Sequence, residues 1–264
     1  MSRAEDLVGA VLDAAGIQRN VSLQRVDHSE SGDLVFRIEG APALFAKIGD
    51  PARRISCAEM AREIAALGWL EGRVAAARLV WSGEAAGRPA MITEALEGAV
   101  LHAVAPEAAE AGAIAALDAL ARLHALPIAS CPFDERLEVK LAEARLRVRL
   151  GEVAIERLAP ENAAAPPGAI LAELEANRPA SEDLVVTHGD ASWPNFILGP
   201  DGEVALIDLG RFGVADRHQD LALFVRSAKR NFPQLDIDAM LARRYPVAAS
   251  PQTLAYYRQL DELY

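Results

Sequence analysis

The chain has 264 residues, 52% of them hydrophobic, and a formal net charge of −11 at pH 7. That length allows one large domain or two smaller ones with sizeable cores, and the negative charge argues against a general grip on nucleic acid. No apolar run reaches the roughly 18 to 20 residues of a membrane span, and the charged N-terminus is unlike a signal peptide. We therefore expect a cytoplasmic protein without nucleic-acid or membrane partners.

The first part of the chain predicts a small antiparallel sheet that carries a helix. Apolar residues alternate in short runs, which is typical of half-buried strands, and recur at three- and four-residue intervals in between. The predicted elements are a helix at 5–15, strands at 22–26, 34–38 and 43–48, a helix at 59–70, and strands at 79–81 and 90–93. Residues 1–95 are expected to form a first lobe.

The composition changes after Gly98 and becomes mostly helical. An Ala- and Leu-rich segment at 108–126 predicts a buried helix. The later predicted elements are helical stretches within 138–177, loops at 159–160 and 166–168, strands at 184–187 and 204–207, and helix from about 219 onwards. Residues 96–264 are thus expected to form a second, larger lobe of an α+β protein.

A polar loop at residues 188–195 carries the most specific motif of the sequence. It reads His-Gly-Asp-Ala-Ser-Trp-Pro-Asn directly after a predicted strand, and the next strand ends in Ile-Asp at 207–208. Phosphoryl transfer requires a carboxylate that orients the acceptor hydroxyl, and oxygen ligands that hold Mg²⁺ against the donor phosphates. We predict an ATP-dependent kinase in which Asp190 is the catalytic residue and Asn195 and Asp208 bind Mg²⁺. The alternative is a simple turn followed by a helix cap.

The third predicted strand supplies a lysine for the donor phosphates. Lys47 is flanked by apolar residues and resembles the strand lysine that contacts these phosphates in protein kinases. Glu63 lies sixteen residues further on, in the predicted helix, and an ion pair with it would hold the ammonium group in place. Glu59, one turn earlier, is the competing partner.

Three further residues are predicted to contact the nucleotide. The turn between the first two strands has no GxGxxG motif, but Ser31 and the backbone there can still bind a phosphate. A plain hairpin turn is the alternative. At the end of the last strand of the first lobe, the main chain of Thr93 and Ala95 is predicted to contact the adenine.

Two stretches resemble the aminoglycoside 3′-phosphotransferases. They are the loop segment 186–195 and the segment 207–222, which reads Ile-Asp-Leu-Gly-Arg-Phe-Gly-Val-Ala-Asp-Arg-His-Gln-Asp-Leu-Ala. The similarity extends over nearly the whole chain and includes the acidic, aromatic-ended segment 256–264. It implies a two-lobed, protein-kinase-like fold and transfer of the ATP γ-phosphate to the 3′-hydroxyl of kanamycin- or neomycin-class aminoglycosides, hence antibiotic resistance.

The resemblance also implies a substrate site rich in carboxylates, which suits a polycationic aminoglycoside. The implied substrate-binding residues are Glu161, Arg211, Arg226, Asp261, Glu262 and Tyr264, the last through its chain-end carboxylate. The sequence departs from the family twice, because Ser227 stands where an acidic residue often follows the arginine, and because the 159–167 loop is less acidic than usual. These departures leave the preferred aminoglycoside open.

Three other functions share parts of this pattern. A kinase of another small alcohol, such as choline, a sugar or a macrolide, would have the same loop. A non-catalytic binding protein with this fold is disfavoured by the intact set of predicted catalytic residues. A kinase of polypeptides is disfavoured by the missing GxGxxG and by the lack of an APE-like segment after Asp208.

Overall fold

The computed structural model describes residues 3–26, 32–245 and 250–264. Its chain contacts divide into two units: unit 1 is Met1–Gly98, Gly199–Asp201 and Ala205–Arg211, and unit 2 is Ala99–Leu198, Gly202–Val204 and Phe212–Tyr264. The segment 205–211, which includes Asp208, therefore groups with unit 1, although the sequence pattern assigned every residue after 95 to the second lobe. Within the described ranges, no helix is both long and apolar enough to cross a membrane.

Unit 1 is built on a five-stranded antiparallel sheet of order β1-β2-β3-β5-β4. Its elements are α1 (Arg3–Ala14), β1 (Leu23–Val26), β2 (Leu34–Ile38), β3 (Leu44–Ile48), α2 (Arg54–Leu70), β4 (Leu79–Ala85) and β5 (Arg88–Glu94). Because side chains alternate along a strand, Leu44, Ala46 and Ile48 are buried in one core with the apolar residues of α1. Lys47 therefore lies on the opposite face of the sheet.

Unit 2 is mainly helical. Its elements are β6 (Ala99–Val100), α3 (Ala109–His124), α4 (Leu137–Leu150), α5 (Pro167–Ala176), β7 (Leu184–Thr187), β8 (Phe196–Leu198), β10 (Gly213–Asp216), α6 (Arg217–Asn231), α7 (Ile237–Arg244) and α8 (Pro251–Asp261), while β9 (Val204–Leu206) contains residues of both units. A core cluster joins apolar residues of α4, α5 and α8. The loop 188–195 follows β7, which pairs antiparallel with β10.

The structure differs from the predicted elements at the starts of two helices and in several short strands. α2 begins at Arg54, five residues before the predicted start. Pro-Pro-Gly at 166–168 does not form a loop throughout, because Pro167 is the first residue of α5, where a missing N–H and a fixed φ are tolerated. The short strands β6, β8 and β10 were not predicted.

Candidate active site

The lysine on β3 forms an ion pair inside unit 1. Its Nζ lies 2.9 Å from Glu63 Oε2 and 3.2 Å from Asp208 Oδ1. Glu63 belongs to the buried stripe of α2 with Met60 and Leu67, residues three and four positions apart on the same helix face. The partner of Lys47 is therefore Glu63.

The alternative partner of Lys47, Glu59, contacts a different cation. Its Oε1 lies 3.4 Å from the Nε of Arg211, within unit 1. The chain approaches closely here, since a Cβ added at Gly210 would lie 3.1 Å from the Cβ of Glu59. Arg211, an implied substrate contact, is thus placed beside α2.

The environment of Lys47 keeps its ammonium group charged. Burial alone would lower the pKa of Lys47, but the carboxylates of Asp208 and Glu63 raise it above its ordinary value. Burial raises the pKa of Glu63, Lys47 opposes that shift, and Asp208 adds to it. The Glu63 carboxylate also accepts a hydrogen bond from the backbone of Leu209. The result is a cation whose position is set by two carboxylates.

Asp208 adopts an uncommon backbone conformation. Its φ is 58°, in the left-handed region that a non-glycine residue seldom occupies. The strand before it is anchored within unit 1, because the Leu206 N–H donates to Ala75 O at 3.0 Å and Ala77 N–H donates to Leu206 O at 3.1 Å. Strained residues of this kind cluster at functional sites, which agrees with the predicted role of Asp208.

In unit 2, the Asp190 carboxylate is oriented by its own loop. The Ser192 hydroxyl donates to Asp190 Oδ1 at 2.7 Å, and the Asn195 amide nitrogen donates to Asp190 O and Oδ2 at 3.0 and 3.1 Å. Since the nitrogen of the Asn195 amide is used in this way, its oxygen points away from Asp190. The loop thus fixes one carboxylate and one amide oxygen with defined directions.

A buried carboxylate on α6 holds the backbone at the start of this loop. Asp220 is fully buried and accepts hydrogen bonds from the N–H groups of His188 and Gly189 at 2.7 and 2.9 Å. Its Oδ2 also lies 2.9 Å from His124 Nε2, whose other ring nitrogen contacts the Tyr245 hydroxyl. Charge-assisted hydrogen bonds to Asp220 therefore fix the start of the loop against α6.

The same support makes the protein sensitive to loss of the Asp220 charge. Burial alone would raise the pKa of Asp220, but hydrogen bonds and charges from His124 and His188 lower it below its ordinary value of 3.8. A carboxyl with a lowered pKa stabilises the fold above the unfolded-state pKa and loses that contribution as the pH falls through the folded-state pKa. The contribution of Asp220 is thus complete above pH 3.8.

We expect Asp220→Asn to lower the free energy of unfolding at pH 7 by about 3 kcal/mol, because it removes one partner of a buried pair. The deficit should shrink only below pH 3.8, where the native Asp220 also becomes protonated. Urea unfolding of the native protein and the variant, at pH 7 and again below pH 3.8, measures this difference in stability. Asp118→Asn is the matched control, since Asp118 pairs with the exposed Arg244 at the surface. Equal losses in the two variants would contradict a special role for Asp220.

The arginine on α6 lies among carboxylates. Arg226 Nη2 is 2.6 Å from Asp261 Oδ2 at the end of α8. Burial alone would lower the pKa of Arg226, but Asp261, Asp190 and Glu262 raise it. Two implied substrate-binding residues, Arg226 and Asp261, therefore contact each other, and Asp190 lies within their electrostatic field.

The serine that follows Arg226 has its own contact with the loop. Ser227 Oγ accepts a hydrogen bond from the Trp193 N–H at 3.0 Å and from the Asn231 amide at 3.3 Å. A neutral hydroxyl thus stands where the family often has a carboxylate, and it still links α6 to the loop.

Of the remaining implied substrate residues, Glu262 and Tyr264 lie at the end of the chain and Glu161 lies in the loop before α5. Glu262 accepts hydrogen bonds from Asn162 and from the backbone of Ala159, while Glu161 is exposed between them. The Tyr264 hydroxyl donates to Lys140 O at 2.7 Å, and Lys140 Nζ lies 5.2 Å from the centre of its ring.

The structure describes two of the three residues that were predicted to contact the nucleotide, Thr93 and Ala95. The Ala95 N–H donates to Ala43 O at 2.9 Å, so this amide is used inside unit 1 and offers no donor to an adenine. Thr93 is paired in the sheet with Phe45 and Leu79. Ser31 lies outside the described residues.

Comparison with known families decides what kind of protein carries these residues. The sequence model of the phosphotransferase enzyme family, APH, matches residues 22–263. The chain belongs to this family. The phosphotransferase is 35% identical to an aminoglycoside 3′-phosphotransferase from Streptomyces fradiae, over 90% of its own length and 94% of the relative. It is also 38% identical to streptomycin 3″-kinase from Streptomyces griseus, over 90% of each chain.

Solved structures of related enzymes have the same fold. The crystal structure of an aminoglycoside 3′-phosphotransferase of type VIII superposes with a TM-score of 0.88 at 33% identity, over the whole of both chains. APH(3″)-Id from Streptomyces rimosus, in complex with ADP and streptomycin, has a TM-score of 0.84 at 27% identity, over 100% of this chain and 99% of that one. These likenesses confirm the predicted two-lobed, protein-kinase-like α+β fold and the family resemblance.

Two residues of this phosphotransferase escaped sequence reasoning. Asp220 lies in a recognised motif, but no role was predicted for it. The sequence feature that could have indicated its role is its position directly before the apolar run Leu-Ala-Leu-Phe-Val at 221–225. A carboxylate next to such a run is expected to be buried, and a buried charge needs hydrogen-bond partners. Asn162 carried no signal, because its contact with Glu262 joins residues one hundred positions apart.

Proposed function

We propose that this phosphotransferase transfers the γ-phosphate of ATP to the 3′-hydroxyl of kanamycin- and neomycin-class aminoglycosides and so confers resistance to them. The observation that carries the proposal is the Asp190 carboxylate, oriented by Ser192 and Asn195 in a loop that Asp220 supports. Its acceptor class follows from relatives such as the aminoglycoside 3′-phosphotransferase of Streptomyces fradiae.

In this proposal, Asp190 accepts a hydrogen bond from the 3′-hydroxyl and aligns its oxygen with the γ-phosphorus. A bond forms between that oxygen and phosphorus while the bond from phosphorus to the bridging oxygen of ADP breaks. The hydroxyl proton passes to Asp190 and then to solvent. Because the transition state of phosphoryl transfer is loose, orientation of the hydroxyl contributes more than basicity.

The nucleotide side of the proposal rests on the Lys47 and Glu63 pair. A charged ammonium group that is fixed by a buried carboxylate is suited to neutralise donor phosphates without reorganisation. The Streptomyces rimosus relative is solved with ADP, so the donor is a nucleotide, and ATP with Mg²⁺ is the finer proposal. Ser31 and the main chain of Thr93 and Ala95 remain predicted contacts, for Ala95 through its carbonyl.

The residues present fit a magnesium ion. The amide oxygen of Asn195 and the carboxylate of Asp208 are the hard oxygen ligands that Mg²⁺ prefers. No cluster of three or more His, Cys, Asp or Glu side chains suited to a metal occurs among residues 3–26, 32–245 and 250–264, so few protein ligands would be complemented by phosphates and water. When bound, the ion supplies positive charge to the phosphate oxygens. Asn195 and Asp208 are the proposed ligands.

The substrate side of the proposal rests on charge. Aminoglycosides are polycations, and a surface with grouped carboxylates raises their local concentration. Unit 2 offers Asp190 itself, the exposed Glu161, and the residues Asp261 and Glu262 at the end of α8. The net charge of −11 agrees with such a substrate. Arg211 and Arg226 remain proposed contacts to its hydroxyl groups, and the chain-end carboxylate of Tyr264 remains a proposed contact to its ammonium groups.

Expression of the protein in susceptible bacteria is expected to protect them from kanamycin but not from tobramycin, which lacks the 3′-hydroxyl. Minimum inhibitory concentrations of both drugs measure this, with the Asp190→Asn variant as the inactive control. Protection from tobramycin would contradict attack at the 3′ position.

A second candidate acceptor is streptomycin, phosphorylated at its 3″-hydroxyl. The observation that favours it is the 38% identity to streptomycin 3″-kinase. A streptomycin arm in the same resistance test separates the two. Protection from streptomycin alone would assign the 3″ activity, and protection from none of the drugs would direct the search to choline, sugars or macrolides.

A further inference from the structure

The peptide group between Gly189 and Asp190 leads directly into the proposed catalytic residue. Gly189 is buried, and its φ of 88° lies in the left-handed region, which glycine adopts without steric cost. Because the backbone turns about two dihedral angles per residue, a flip of this peptide group changes ψ of Gly189 and φ of Asp190 together. Such a flip would redirect the Asp190 side chain, so the orientation of this peptide group matters for the proposed reaction.

Asp220 binds the two peptide groups before this one. The N–H groups that it accepts from are those of His188 and Gly189. At the far end of the 189–190 group, the Asp190 N–H donates to His188 Nδ1 over 3.3 Å, which is a long hydrogen bond. The carbonyl oxygen of Gly189 is the other end by which this peptide group can be held.

Gln219, on the first turn of α6, binds that carbonyl oxygen. Its Nε2 donates to Gly189 O at 2.6 Å, and the side chain is buried. Since a carbonyl oxygen only accepts, the Gln219 atom beside it is the amide nitrogen, which fixes the direction of the amide. Asp216 caps α6 by accepting from the His218 N–H at 2.9 Å, so the turn that carries Gln219 begins at a fixed place.

We infer that Gln219 is a positioning residue that holds the Gly189–Asp190 peptide group in one orientation and thereby directs the Asp190 carboxylate at the acceptor hydroxyl. The inference rests on the proposed function, because it takes the role of Asp190 from there. Asp220 holds the start of the loop, and Gln219 holds the peptide group next to the reacting carboxylate. Loss of Gln219 leaves the charge of Asp190 in place, so it should lower kcat rather than raise KM.

NMR of the full-length protein without substrate tests the contact. Labelling glycine at its carbonyl carbon and aspartate at its nitrogen makes only Gly-Asp peptide groups visible in a carbonyl–nitrogen correlation, and the sequence has three of them, at 32–33, 49–50 and 189–190. In Gln219→Met, which keeps a long side chain but has no N–H donor, only the 189–190 signal should move. The other two signals are internal controls. An unmoved 189–190 signal would overturn the inference.

Steady-state kinetics separate positioning from a merely structural contact. Gln219→Met should lower kcat for kanamycin about thirtyfold and leave KM for kanamycin and for ATP unchanged, since a misplacement of about 1 Å can cost about a hundredfold in rate. Gln234→Met is the matched control and should keep native kinetics, because Gln234 is exposed in the turn between α6 and α7. A near-native kcat in Gln219→Met, together with a displaced 189–190 signal, would make the contact structural only and overturn the inference.

Gln219→Glu is a second test with a side chain of the same shape. Its carboxyl can donate to Gly189 O only while it is protonated, and its carboxylate would repel that oxygen. The titratable groups next to the contact, Asp220 and His188, are the same in both proteins, so the ratio of variant to native kcat isolates the introduced group. This ratio should be near one at each pH where the 189–190 signal has its native position and low where the signal is displaced.

A kcat ratio for Gln219→Glu that varies independently of the 189–190 signal would contradict the positioning role. If the native protein leaves kanamycin unmodified, the proposed function fails, whereas the 189–190 signal still decides whether Gln219 holds this peptide group.

Discussion

Replacing Asp190 by asparagine is expected to lower kcat for kanamycin phosphorylation about a thousandfold, within the range that a positioned acid or base contributes. Asparagine has nearly the same size, and its oxygen can still accept from Ser192. Asn195 loses its bond to Oδ2 but still donates to the backbone oxygen of residue 190, so the loop should keep its shape. The variant loses the negative charge that orients the acceptor hydroxyl and receives its proton. KM for kanamycin and for ATP should therefore change little.

Initial rates over a range of both substrates measure this effect. Asp6→Asn is the control, because Asp6 is an exposed carboxylate on α1 in unit 1, and this variant should keep full activity. A kcat within tenfold of the native value for Asp190→Asn would show that another residue orients the hydroxyl.

Replacing Lys47 by methionine is expected to lower kcat/KM for ATP at least a hundredfold, as the loss of one fixed donor from a charge-stabilising site does. It should also destabilise unit 1, because Glu63 keeps its buried position without its ion-pair partner. The loss of stability and the loss of activity have different causes, and a second substitution separates them.

The double variant Lys47→Met/Glu63→Leu should recover stability but not activity, because an apolar pair can replace a buried ion pair at little cost.

The stability of the single variant Lys47→Met should depend on pH in a definite direction. The pKa of Glu63 is already raised above its ordinary value of 4.5, and it rises further without Lys47. An acid with a raised pKa favours the fold at low pH and loses that contribution as the pH rises.

Chemical unfolding at pH 7 and near pH 4.5 measures this, and the deficit of Lys47→Met relative to the native protein should be larger at pH 7. Lys229→Met is the surface control, since Lys229 and its partner Asp238 are both exposed. Native ATP kinetics in Lys47→Met would show that Lys47 does not contact the donor phosphates.

The sheet of unit 1 could be predicted from the sequence because its strands are half buried. Alternation along 44–48, for example, shows directly in the burial of every second residue. The pairing of Lys47 with Glu63 was predicted, but Glu59 remained a competing partner because it lies on the same helix four positions earlier. The outcome depends on which face of α2 is buried, and α2 begins earlier than its pattern indicated.

The candidate site could be predicted where the chemistry is local in sequence. Asp190 and Asn195 contact each other within one loop, so their spacing carries the information. The support from Asp220 could not be predicted, because His124 is 96 positions away and comes from α3. The hydrogen bonds of Glu262 with Ala159 and Asn162 could not be predicted for the same reason. The sequence of an acidic helix end does not show whether its carboxylates contact a distant loop.

The position of the phosphate on the product tests the central claim most directly. Purified protein, incubated with ATP, Mg²⁺ and kanamycin, should yield a single monophosphate whose phosphorus signal correlates in NMR with the proton on carbon 3′. A phosphate on any other hydroxyl, or no transfer to kanamycin at all, would contradict the assignment of Asp190 to the 3′-hydroxyl.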